Sequence, residues 1–330
     1  MRSGKIWWLA SYPKSGNTWL RAWLWTLVSD KPVELEALSR FTGNSASRWQ
    51  FDRALGIPSA ALSYDQECNL RPAAFEVLAT ETRPPAFFKV HDAYHLTPEG
   101  KALFPRAVTA GAVYVVRDPR AVAVSLSHHM AEPLDQSIAF MDDRDAALAR
   151  STRLLSDDLR QRLLRWSEHV ESWLGAPFAV HLVRYEDMQA DPHAACAAVA
   201  AFLGLPCDSA TIAAAVEAAS FSRLQAQERA SGFTEKPRHA AAFFREGRAD
   251  GWRQVLTPKQ VARIVAAHGA MMQRCNYDLS LTPRVAGRAT ACQPNAAFST
   301  GARQSASQRQ APRRARTTPG RARRRRPKQE

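Results

Sequence analysis

"KIWWLASYPKSGNTWLRAWLWTLV", residues 5–28, holds two hydrophobic rhythms separated by a polar turn. Ile6, Trp7, Trp8, Leu9 and Ala10 form an unbroken apolar run, as expected of a short strand buried on both faces. Pro13 and Gly16 interrupt it. From Thr18 the apolar residues fall at Trp19, Leu20, Trp23, Leu24, Leu27 and Val28, the stripe of a helix packed on a sheet. The stretch therefore reads as strand, loop, helix.

The same alternation continues down the chain. "AFFKVHDAY" (86–94), "AVYVVRDP" (112–119) and "FAVHLVRYEDM" (178–188) are β-rich runs closed by polar turns. Helical patterns follow Pro119 and cover 159–174, 192–205 and 211–228, with Gly204 ending the third. Strands alternating with helices predict an α/β fold with a central, mostly parallel sheet flanked by helices. The stretches 40–70, 130–160 and 226–250 break the rhythm and are expected to cover the C-terminal edge of the sheet, where ligands bind.

A chain of 330 residues is long enough for one large domain. Its formal charge of +14 is concentrated at one end: residues 284–330 hold 13 Arg and Lys against one acid, which leaves +2 for residues 1–283. The expected organisation is a nearly neutral domain over 1–283 and a disordered Arg-rich tail over 284–330. Nucleic acid or another polyanion would bind through that tail alone. The 5 cysteines are scattered without a C-x-x-C pair, which argues against a zinc site or disulfide framework and for a reduced, cytoplasmic protein. Residues 5–10 are too short for a signal core, and no run is long enough to span a membrane, so no membrane partner is expected.

The turn at "KSGNT" has the means to bind an anion. Backbone N–H groups around Gly16 can form a nest, and the following helix adds its positive end. Ser15 and Thr18 supply hydroxyls, and Lys14 a full charge on the strand side, toward the bridging oxygen of a bound phosphate. The competing reading is a plain turn with a solvated lysine. A second anion grip is suggested by "VYVVRDPRAVAVSL", where Arg117 ends a strand and Ser125 lies in the next helix. Its competitor is an ion pair of Arg117 with Asp118. Arg245 in "FFREGRADGWR" could join this second grip.

Taken in order over about residues 5–280, these stretches resemble the sulfotransferases that use 3′-phosphoadenosine 5′-phosphosulfate. "YPKSGNTW" resembles the family's 5′-phosphosulfate loop and "VYVVRDPRAVAVS" its 3′-phosphate motif. "FKVHDAY" matches the Lys-x-His segment with the catalytic base, "ASFSRL" the segment whose aromatic ring packs on adenine, and "RYEDM" is also shared. The resemblance implies a three-layer fold like that of the P-loop NTPases. It implies that Lys14, Ser15, Gly16, Asn17 and Thr18 hold the 5′-phosphosulfate and that Trp19, Phe221 and Tyr185 surround adenine. Arg117, Ser125, Arg245 and Gly247 would grip the 3′-phosphate. By pattern alone Trp19 also fits the buried stripe of its helix.

The chain departs from the family where Arg245-Glu246-Gly247 replaces Arg-Lys-Gly, with Glu246 expected to point to solvent. Asp250-Gly251-Trp252-Arg253 stands for Gly-Asp-Trp-Lys, and Asn17 for a frequent Thr. In the segment that dimerises some members, Arg253 and Thr257 fit, but Pro258 and Ala262 do not.

The reaction implied is in-line sulfuryl transfer, with charge developing on the leaving oxygen. Lys14 would neutralise that charge, His91 would act as general base, and Lys89 would hold the sulfuryl oxygens. No metal is expected; His128-His129 and Asp142, Asp143 and Asp145 read as solvated surface. A P-loop kinase of small molecules is the alternative enzyme, but it calls for G-x-x-x-x-G-K-[ST] and a strand-end Asp for magnesium, which are not in place. The acceptor is expected to be a small molecule, preferably apolar or aromatic, with Trp49, Phe51, Tyr64, Phe140 and Met141 as candidate pocket residues.

Overall fold

The computed structural model describes residues 4–280 except 30, 152 and 238; the expected tail over 284–330 lies outside the described residues. Strand β1 (Ile6–Ser11) is central, as its unbroken apolar run requires. It pairs in parallel with β3 (Ala86–Val90) on one side and β4 (Thr109–Val116) on the other. The two-residue β2 (Gly43–Asn44) and β7 (Val180–Arg184) close the edges, giving the parallel order β2-β3-β1-β4-β7. A separate two-stranded ribbon pairs β5 (Ala147–Leu148) with β6 (Gln161–Arg162).

Alternate residues of the sheet feed two cores. Ile6, Trp8 and Ala10 with Ala112, Tyr114 and Val116 pack on one face, against helices Tyr64–Glu81, Pro119–Met130, Trp166–Leu174 and Pro258–Arg274. Leu9, Phe87, Val113 and Val115 pack on the other, against α1 (Asn17–Ser29), Leu35–Phe41, Pro192–Leu203, Ser209–Ala218 and Phe221–Ser231. This is the expected three-layer α/β arrangement.

Three local expectations are corrected. The helical pattern over 159–174 yields a helix only at Trp166–Leu174, because Leu164 adopts φ 61° and the residues before it join the ribbon. The pattern over 211–228 is two helices, since Ser220 takes the extended conformation of a cap (φ −57°, ψ 143°). The stretch 40–70 contains helix Arg48–Leu55 and the start of Tyr64–Glu81, and 130–160 contains Leu134–Met141.

A buried ion pair fixes the end of β3. Asp92 is fully buried, and its oxygens accept from Arg71 Nη1 at 3.1 Å and Nη2 at 2.6 Å. Asp92 also accepts from the Arg162 backbone N–H, and Arg71 donates to Ser45 O. Removing one member leaves the other charged and unpaired in the core. Arg71→Ala is therefore expected to lower unfolding free energy by about 3–5 kcal/mol, measured by urea denaturation; a loss below about 1 kcal/mol would show that water replaces the guanidinium.

Candidate active site

In a parallel sheet all strands end at one edge, and here Lys14, His91, Arg117 and Tyr185 each follow the end of β1, β3, β4 or β7. They meet in a cavity of about 470 Å³. Every residue named above for the nucleotide or for catalysis lines it except Ser15, whose side chain is buried with no partner for its hydroxyl. The residues come from widely separated segments: 14–19, 89–91, 117–125, 185, 221 and 245–247.

The first loop has the backbone of an anion nest. Lys14 has φ 69° and Gly16 φ 109°. Glycine is required at 16 for space as well, because a Cβ there would lie 2.6 Å from the Tyr185 ring. The Asn17 side chain faces inward, donating to Leu9 O at 2.8 Å and to Ser11 Oγ. Lys14 Nζ lies 3.4 Å from His129 Nδ1 and 4.2 Å from the centre of the Phe243 ring. Burial, with Arg117 and Lys89 nearby, lowers its pKa to about 8.

Arg117 makes no ion pair with Asp118, which instead pairs with Arg120 at 2.7 Å. Arg117 donates to Lys14 O at 3.1 Å and to Arg248 O at 2.9 Å, and its guanidinium lies 4.2 Å from the Tyr185 ring centre. Its Nε is buried without a partner. Tyr185 donates to Gly247 O at 3.0 Å, and Gly247 (φ 64°) passes so near Phe221 that a Cβ would lie 2.5 Å from the ring. Trp19 is half-buried on the cavity wall, 5.6 Å from Tyr185 between ring centres, while Trp23 behind it is fully buried. The stripe of α1 thus continues from the core to the cavity. Glu246 is not simply turned to solvent: it pairs with Arg245 at 2.9 Å.

At the end of β3, His91 Nδ1 lies 2.9 Å from Ser11 O and 3.3 Å from Ser11 Oγ. A carbonyl accepts only, so Nδ1 carries the proton and Nε2 is the basic nitrogen. Burial, then Lys89, lowers the pKa of His91 to about 3, and the ring is neutral at pH 7. Lys89 Nζ donates to Glu235 Oε2 at 3.1 Å. Arg21 from α1 clasps the same carboxylate through 2.6 and 3.1 Å bonds, and these cations hold its pKa far below the usual carboxylate range against the effect of burial.

Sequence reasoning missed Glu235 and His129. Glu235 lies in an irregular segment without periodicity, and only its position beside two cations marks it. His129 is not solvated surface as expected: it faces Lys14, and burial with that neighbour lowers its pKa to about 3. The acceptor candidates are also corrected. Phe51 is buried beside Ala74 and Leu159, Trp49 is 68% exposed, Tyr64 faces a different hollow, and Phe140 and Met141 pack on the core; none lines the cavity. Among the described residues there is no cluster of three or more potential metal ligands, and no helix is long and apolar enough to cross a membrane.

A sulfotransferase domain model matches residues 5–276. The chain is 25% identical over 273 residues to sulfotransferase 1A1 of Canis lupus familiaris, covering 81% of this chain and 83% of that protein. It is 25% identical over 267 residues to cytosolic sulfotransferase 1 of Arabidopsis thaliana, covering 78% and 75%. Two solved structures share the fold. Retinol dehydratase in complex with androsterone and the inactive cofactor PAP has a TM-score of 0.54 at 20% identity, covering 81% of this chain and 80% of that one. Mouse sulfotransferase SULT7A1 complexed with PAP has 0.52 at 20% identity, covering 83% and 88%. With its strand-edge cavity and the family match over most of its length, the chain belongs to the sulfotransferase domain family.

Proposed function

We propose that the protein transfers a sulfuryl group from 3′-phosphoadenosine 5′-phosphosulfate to a hydroxyl or amine of a small acceptor. The observation that carries this reading is the convergence of both expected anion grips on one cavity that also holds His91 and Lys89. The nucleotide supplies the sulfuryl group, whose bond to the 5′-phosphate oxygen breaks as the acceptor bonds to sulfur. The unpartnered Arg117 Nε on the cavity wall fits a polyanion, as does the nest at Lys14–Gly16.

Each residue then has a task. The 14–18 loop holds the 5′-phosphosulfate, and Lys14 neutralises the charge that gathers on the bridging oxygen. Arg117, Ser125, Arg245 and Gly247 hold the 3′-phosphate, with Trp19, Tyr185 and Phe221 around the base. His91 Nε2 takes the acceptor proton, and the Ser11 carbonyl keeps Nδ1–H in place while the ring becomes cationic. Lys89 steadies the sulfuryl oxygens, drawing on a charge it now shares with Glu235.

Adenosine 3′,5′-bisphosphate (PAP) is expected to bind at least tenfold more tightly than ADP, without magnesium, in titration calorimetry. A charge-assisted bond to the 3′-phosphate, which ADP lacks, contributes about 1.5–3 kcal/mol, reduced here because Arg117 and Arg245 already have partners. Arg117→Ala should remove most of the preference. Lys14 adds a pH signature: its pKa of about 8 rises when an anion binds, so binding above pH 8 takes up a proton and weakens as pH increases. Lys14→Arg should flatten that slope. Equal affinity for ADP, or dependence on magnesium, would favour a small-molecule kinase instead.

A further inference from the structure

The cavity that holds His91 also has a polar stretch of wall, and one residue in it is a carboxylate without an ion pair among the described residues. Residues 158–162 run alongside 91–93: Leu159 N donates to Ala46 O, Ala93 N to Arg162 O, and Arg162 N to Asp92 Oδ1. This brings Asp158, Gln161 and Leu148 onto the cavity wall next to Asn44, which is paired in register with Lys89.

Asp158 Oδ1 accepts from Asn44 Nδ2 at 2.8 Å, and its Oδ2 has no hydrogen-bond partner among the described residues. The nearby positive charges are already engaged. Lys89 and Arg21 share Glu235, and Arg160 lies over the Tyr64 ring at 4.3 Å, facing a different hollow. No ion pair reaches Asp158 among the described residues. Burial, with the Glu235 and Asp157 carboxylates nearby, raises its pKa against the pull of Lys89 and the Asn44 amide.

We propose that the acceptor carries a protonated amine, separate from the group that is sulfated, and that the Asp158 carboxylate recognises it. This rests on the sulfotransferase reading. A cation on the acceptor restores charge balance at Asp158 and is held by a charge-assisted hydrogen bond. Leu148 offers an apolar contact for the atoms between amine and hydroxyl, and Gln161 an amide for orientation. A neutral acceptor of the same shape would leave the carboxylate desolvated and unpaired, and the site would discriminate against it.

Matched probes test the proposal: tyramine against 4-propylphenol, and 5-amino-1-pentanol against 1-hexanol. Each is offered with the sulfuryl donor, and each is titrated into the full chain saturated with PAP. The amine of each pair should be preferred at least tenfold, in kcat/KM or in affinity, and in Asp158→Asn the ratio should fall to about one. Equal use of both members, a ratio retained in Asp158→Asn, or no binding of either amine while PAP binds would each overturn the proposal. Failure of PAP itself to bind would overturn the sulfotransferase reading, and this inference with it.

Discussion

Replacing His91 with glutamine is expected to cut kcat by about 10²–10⁴-fold, the contribution of a positioned general base, while the affinity for PAP stays within about threefold. Glutamine places a neutral amide at the Nε2 position and offers no basic nitrogen there. The low pKa, about 3, sharpens the expectation. A histidine at its ordinary pKa would be mostly protonated at pH 5.5 and would lose activity there. Here the neutral form persists well below that pH, so kcat/KM should show no acid limb from His91 between pH 7 and 5.5. A loss of PAP affinity as large as the loss of rate would identify His91 as a structural residue that ties β3 to β1.

Lys14→Met is expected to lower kcat by about 10²–10³-fold, the usual effect of removing one donor from a developing oxyanion. The same substitution should raise the melting temperature. A lysine whose pKa falls to about 8 on folding is disfavoured in its charged form, so at pH 7 the cation costs stability that methionine does not. The positive φ of residue 14 is unfavourable for either side chain and largely cancels in the comparison. Calorimetry and turnover together decide it. More than a third of wild-type turnover, or a marked fall in melting temperature, would contradict the assigned role.

The sheet was readable because its central strands are apolar on both faces and α1 carries a clean stripe. Trp8 and Leu9 point to opposite cores, as an unbroken hydrophobic strand predicts. Strand β2 was not readable: two residues, Gly43 and Asn44, carry no period, and tertiary contact alone makes them a strand. Helix Tyr64–Glu81 opens on a Ser63–Gln66 capping box, a signal the sequence reading did not use. Leu164 and Ser220 cut two helical patterns short by backbone conformation, which periodicity does not encode.

For the site, local motifs identified the residues that touch backbone nests and strand ends. The partners that polarise them come from loops far away in sequence. Glu235 reaches Lys89 across 146 positions and His129 reaches Lys14 across 115, and no local pattern links either pair. The candidate acceptor residues fell outside the cavity for a related reason. Aromatic content was taken as a sign of a pocket, but Phe51, Phe140 and Met141 are spent on cores, while Asn44, Asp158 and Gln161 are among the residues that line the cavity with His91.

The bond from Arg117 to Arg248 O joins parts of the chain that are made far apart in time. The Lys14 loop is synthesised before Phe243, whose ring lies against it, and before Arg248, both of which come more than 220 positions later. At about 5–20 residues per second, the nascent loop spends on the order of ten to fifty seconds without them. During that interval Lys14 lacks the burial that depresses its pKa and behaves as an ordinary, fully charged lysine. A ligand held between these segments therefore cannot act as an early template for folding: the cavity wall is completed only when the last third of the domain has been delivered.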